Sequence, residues 1–148
     1  MSMFSSFDIN ASGMTAQRLR MDVISENVAN ANTTRTADGS PYRRKVVTFA
    51  EKGEGAPDFR RVFSDATSHF NIGNGVKVTT ISEDYKTEMN MVYDPSHPDA
   101  DENGYVTYPN VNIVTEMTNL IDASRAYEAN ATAFSASKNI ALKGLEMK

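Results

Sequence analysis

The segment DADENGYVTYPN, residues 99 to 110, holds the best arrangement of potential metal ligands in the sequence. Asp99, Asp101, Asn103 and Gly104 stand at positions 1, 3, 5 and 6 of an EF-hand-type calcium loop, where oxygen ligands alternate and glycine makes the sharp turn. The correspondence then fails. Position 12 of such a loop supplies a bidentate glutamate, and here it is Asn110. Pro95 and Pro98 forbid an entering helix. A turn on Asn103–Gly104 leading into a strand YVTY accounts for the segment better. His69 and His97 are the two histidines, both in polar surroundings and with no third ligand at metal spacing, so a zinc site is not expected. There is no cysteine, which excludes disulfides, thiolate catalysis and cysteine-bound zinc. No serine sits in a GxSxG context and no glycine-rich loop follows a strand to cradle phosphate. The reading is therefore of a protein that is not an enzyme, with no catalytic residues, no metal and no cofactor.

What remains to be explained is the pair of ends. Near the N-terminus Phe7, Met14, Met21, Ile24, Val28 and Ala31 keep to one face of a helix running from residue 4 to about 32, with Leu19 and Val23 beside that line. Near the C-terminus Ile113, Met117, Leu120, Ser124, Tyr127, Ala131, Phe134, Lys138, Ala141 and Leu145 alternate steps of four and three, a near coiled-coil seam. Asn110 or Asn112 is placed to cap that helix, without a capping box. Between them, residues 35–108 read as strands and turns. YKTEMNMVY at 85–93 alternates cleanly, KVVTF at 45–49 and VKVTTI at 76–81 are further strands, and GEGAP at 53–57 and GNG at 73–75 are turns. The expected fold is α+β: an N-terminal helix to residue 34, a small β-rich middle at 35–108, and a C-terminal helix at 109–148, the two helices forming a coiled-coil-like layer.

Three asparagines, Asn27, Asn30 and Asn32, stand where the first helix should still be running. Asn tolerates the left-handed conformation that ends helices, and its amide can bond free carbonyls, so Asn30 and Asn32 are read as closing the helix. Asn27 lies a turn too early for that. It either bonds across to another helix or sits on a polar outer face.

A helix of some thirty-three residues is about 50 Å long, and strands of about 17–20 Å cannot cover it. Ordering each residue costs about 1–2 kcal/mol, while each large apolar side chain returns about 1.5–3 kcal/mol. A long helix with one narrow seam then needs several neighbours, which points to a protein completed by assembly. The charge balance, 15 Lys and Arg against 19 Asp and Glu for a net −4, argues against nucleic acid. The short basic runs YRRK at 42–45 and Arg60–Arg61 are read as solvated strand faces. No stretch approaches the length of a membrane span, and the N-terminus lacks the regions of a cleaved secretory signal.

SGMTAQRLRMDVISENVANANTT resembles the N-terminal motif of axial proteins of the bacterial flagellum, and the stretch from PNVNIVTEM through SRAYEAN to the end is similar to their C-terminal helix. TADGSPYRRK at 36–45 and DPSHPDADENGYVTYPNV at 94–111 resemble the proximal-rod members of that family. Residues 50–84 add little. The resemblance implies a structural subunit of the proximal rod, exported by the flagellar type III apparatus without a cleaved signal. It implies assembly in the periplasm into a helical tube that transmits torque and lines the export channel. The implied partners are copies of the chain, other rod proteins, and ring and export-gate components. Packing is expected from Met14, Met21, Ile24 and Val28 with Ile113, Met117, Leu120, Tyr127, Phe134 and Leu145. Asn27, Asn30 and Arg125 are the expected polar contacts. Arg125 would meet a carboxylate on a neighbour or pair locally with Asp122 or Glu128. Lys138 breaks the seam and would mark its turn toward the channel or another subunit. Alternatives are another axial subunit, or a calcium-responsive helical-hairpin domain.

Overall fold

The computed structural model describes residues 3–52 and 74–146. GEGAP, Arg60–Arg61, His69 and Gly73 fall outside them. Along the chain come α1 (Met3–Ala29), β1 (Lys45–Glu51), β2 (Val76–Glu83), β3 (Asn90–Tyr93), β4 (Tyr105–Tyr108) and α2 (Ile113–Glu146). The architecture is α+β, two long helices with a small middle region of antiparallel strands.

At 1.5 Å per residue the 27-residue α1 is about 40 Å long and the 34-residue α2 about 51 Å. They run antiparallel. Phe7 meets Phe134 edge-on at 5.0 Å, Gly13 lies against Asn130, and Asn27 bonds Glu116. The line of α2 turned to α1 therefore runs through Glu116, Ala123, Asn130 and Phe134. It shares Phe134 with the periodic seam read from the sequence but is otherwise rotated by about one residue position. Ile113, Met117 and Leu145 lie off that line and are 43%, 55% and 78% exposed.

Among the described residues the middle holds two separate two-stranded sheets. β1 pairs with β2 from Lys45↔Glu83 to Glu51↔Val76, with a register shift between Thr48 and Phe49. β3 pairs with β4 from Asn90↔Tyr108 to Tyr93↔Tyr105. The strand expected over 85–93 is shorter, because Asp84 bends the chain first. Its Oδ1 accepts the N–H of Lys86 at 2.9 Å and of Thr87 at 3.2 Å, and its Oδ2 accepts the Thr87 hydroxyl at 2.8 Å. An Asx-type turn of this kind outbids an extended backbone. Asp101 does the same in the β3–β4 connection. Its Oδ1 accepts the N–H groups of Asn103 and Tyr105 at 2.9 and 2.8 Å, with Gly104 at φ 81°. Asp99 accepts the Thr34 hydroxyl at 2.8 Å.

α1 ends by side-chain bonding. Asn30 Nδ2 donates to the Glu26 carbonyl at 2.9 Å, and its Oδ1 accepts the Thr33 hydroxyl at 3.1 Å. Among the described residues no side-chain-bearing residue has positive φ. The left-handed closure expected at Asn30 or Asn32 is thus not used, since the amide already satisfies the last-turn carbonyl. At the start of α2, Asn112 is the cap, its Oδ1 accepting the Thr115 N–H at 3.2 Å. Asn110 is occupied elsewhere.

Candidate assembly site: a helix pair held by two asparagines

The mouth of the β1–β2 hairpin, at Arg44, Lys45 and Asp84, sits between the end of α1 and the start of α2. Two asparagines hold it there. Asn27, buried on α1, treats Lys45 as a neighbouring strand would. Its Nδ2 donates to the Lys45 carbonyl at 2.9 Å and its Oδ1 accepts the Lys45 N–H at 2.8 Å. The second Nδ2 hydrogen goes to Glu116 Oε2 at 3.1 Å, and Oδ1 also accepts the Tyr42 hydroxyl at 2.9 Å. Every donor and both lone pairs of that amide are used. Asn110, buried just before α2, mirrors it. Its Oδ1 accepts the Arg44 N–H at 2.9 Å, and its Nδ2 donates to the carbonyls of Asp84 and Thr87 at 2.9 and 3.1 Å.

A charge cluster fills the space between them. Glu116 is 1% exposed. An isolated carboxylate there would be costly, but Arg44 reaches Oε1 through Nε and through a terminal nitrogen, both at 2.9 Å. The other terminal nitrogen of Arg44 lies 3.5 Å from Asp84. The Thr87 hydroxyl and N–H, the Lys86 N–H and the Arg44 charge hold the Asp84 carboxyl below its usual range. Burial, with Glu26, Glu83 and Glu116 nearby, pushes the Tyr42 phenol up to about 12. Tyr42 itself packs with Ala31 and Val111, joining the linkers of the two helices.

A second anchor lies about a third of the way along α1. Ser12 Oγ donates to the Ile9 carbonyl at 2.7 Å and accepts the Val76 N–H at 3.1 Å. Gly75, at φ 96°, makes this approach possible, because a Cβ there would stand 2.2 Å from Ser12 Oγ.

Of the residues singled out from the sequence, Ile24 and Asn27 are buried. Met14, Met21, Val28, Asn30, Leu120, Tyr127 and Phe134 are half-buried. Ile113, Met117, Leu145 and Arg125 are exposed. Asn27 bonds across to α2, the first of its two readings. Arg125 forms no ion pair with Asp122, Glu128 or any other described residue. Sequence reasoning missed Arg44, Asn110 and Glu116 as a unit. Glu116 did carry a signal, a charge one helical turn before Leu120 and two before Ala123 on the inward line. Its partner lies 72 residues away, beyond the reach of any local pattern.

Among the described residues no group of three or more His, Asp or Glu side chains is placed to hold a metal ion. The chain has a satisfied polar joint and long helical flanks with exposed apolar side chains, which is the equipment of a packing subunit. Comparison with known proteins agrees. Residues 7–35 match the family described as flagella basal body rod protein, and residues 102–147 match the C-terminal family described as flagellar basal body rod FlgEFG protein. The flagellar basal-body rod protein FlgC of Borreliella burgdorferi is 47% identical over 95% of this chain and 93% of its own length. FlgC of Bacillus subtilis is 46% identical over 99% of both, and that of Salmonella typhimurium is 40% identical over 99% of this chain and 98% of its own. With identities of this size along nearly the whole sequence, the chain belongs to the family of FlgC flagellar basal-body rod proteins.

Proposed function

We propose that this chain is a structural, non-catalytic subunit of the proximal rod of the flagellar basal body. The terminal segments, residues 1–34 and 109–148, contribute α1 and α2 to the packed layer of a helical tube, and the segment 35–108 is the outer part. In this reading the chain works in the periplasm, is exported without a cleaved signal, transmits torque and lines the export channel. Its partners are its own copies, other rod proteins, and ring and export-gate components.

One observation carries the reading beyond family membership. The N-terminal part of α2 leaves Ile113, Val114, Met117 and Ile121 exposed, and its C-terminal end leaves Ile140, Leu142 and Leu145 exposed. Water-exposed aliphatic residues along a helix in this number mark a contact surface. The test is the pair Val114→Asp and Met117→Asp in a strain lacking its own copy. Both positions are exposed, so the chain should fold with an unchanged circular dichroism spectrum, yet basal bodies should lack rods and cells should not swim. Normal rods and swimming would overturn the assignment.

A further inference from the structure

The outward faces of the two helices carry charges in matching order. On α1, Asp8, Ala11, Thr15, Arg18, Asp22 and Ser25 advance by steps of three and four, and all are exposed. On α2 the exposed line runs through Ile121, Arg125, Glu128, Thr132 and Ser135. Asp8, Arg18, Asp22, Arg125, Glu128 and Lys138 form no ion pair among the described residues. Four residues separate Arg18 from Asp22, and three separate Arg125 from Glu128. Read in opposite directions, Arg18–Asp22 on α1 and Glu128–Arg125 on α2 are complementary in sign.

We propose that α1 of one copy docks on α2 of the next, antiparallel, with Arg18 on Glu128 and Asp22 on Arg125. The proposal rests on the rod reading, because copies in a helical array point the same way along the axis. Since α1 and α2 are antiparallel within a chain, they are also antiparallel between chains. One other antiparallel placement pairs Arg18–Asp22 with Glu146 and Lys143, but it lays less than half of α1 along α2, whereas the register chosen lays the whole of α1 along it. In the register chosen, Ile121 and Met117, 52% and 55% exposed, come to lie on Ser25 and Ala29, whose small side chains leave room.

The register has a geometric consequence. Within the chain Asn27 stands opposite Glu116 and Gly13 opposite Asn130, which puts Asp22 level with residue 121. Between chains Asp22 is level with Arg125. The neighbour is therefore displaced by four residues, about 6 Å along the helices. A head-to-tail contact with an axial step generates an open helix rather than a closed ring. Exposed ion pairs add little affinity singly. Their effect is on register and partner choice, because a slipped neighbour meets like charges.

Charge reversal tests this in a deletion strain complemented with the full chain. Arg125→Glu should abolish rods, and Asp22→Arg together with Arg125→Glu should restore them. Normal rods with Arg125→Glu alone, or no restoration by the pair when both variants fold by circular dichroism, would overturn the interface. The rod reading fails separately, if the deletion strain still swims. As an independent readout, Asp22→Cys and Arg125→Cys are placed in separate, co-expressed chains of this cysteine-free protein. Oxidation of isolated basal bodies should give disulfide-linked dimers, while Asp8→Cys with Arg125→Cys should give none. Absence of the first dimer, or equal yield of the second, would refute the register.

Discussion

At the scale of single residues the molecule depends on a few fully used polar groups. Tyr42→Phe removes the hydroxyl that Asn27 Oδ1 accepts. It should cost about 1 kcal/mol and lower the melting temperature by about 2–4 °C. The same change should alter alkaline behaviour. The folded phenol titrates near 12 and the unfolded one near 10, so the native state holds the proton more tightly across that interval. Its contribution is complete below pH 10 and fades as the pH rises toward 12. Denaturant midpoints measured across that window should fall less steeply in Tyr42→Phe than in the parent. Arg44→Met leaves the buried Glu116 carboxylate without its cation and should cost about 3–5 kcal/mol. Adding Glu116→Leu should recover most of that loss, since the buried charge goes with it; chemical denaturation of the single and double variants gives the comparison. The importance of Asn27 was half legible in the sequence, because an amide in mid-helix on the edge of an apolar stripe needs a partner. The identity of that partner was not legible, since Lys45, Tyr42 and Glu116 are brought to it by three separate segments.

Individual elements differ in how far they could be read. α1 and α2 were legible because step-three and step-four spacing over many turns is a strong pattern. The inward line of α2 was misplaced by about one position. Its innermost residues are small or polar, Ala123, Asn130 and Glu116, and a hydrophobic pattern passes over them. The strands KVVTF and VKVTTI extended further than read, to Glu51 and Glu83. The strand at 85–93 was cut short by the side chain of Asp84, whose hydrogen bonds outweigh the alternation of Tyr85, Thr87 and Met89. The β1–β2 hairpin has little apolar cover of its own and stays in place through its attachments to α1. Gly75→Ala should therefore loosen it selectively. The substitution puts a Cβ at positive φ and against Ser12, costing more than about 1 kcal/mol. The Val76 amide should lose protection in hydrogen exchange while amides in the middle of α2 keep theirs. Equal loss in both would show that the hairpin and helices unfold as one unit.

Taken as a whole, the molecule is unevenly fastened. Its buried polar joint lies where α1 ends and α2 begins. Toward the far end Phe7 meets Phe134 edge-on, and α2 continues beyond that contact with Ile140, Leu142 and Leu145 exposed. Local stability follows buried contacts, so in an isolated chain amides of residues 116–127 should exchange far more slowly than those of 138–146. Incorporation into a rod should narrow that difference, and mass spectrometry of exchanged peptides from monomer and basal body would reveal it. The turns of α2 beyond Phe134 are a beam clamped where Phe7 meets it. Tip deflection of such a beam under a given side load grows with the cube of its free length, so neighbours that grip those last turns would stiffen a subunit out of proportion to the area they cover.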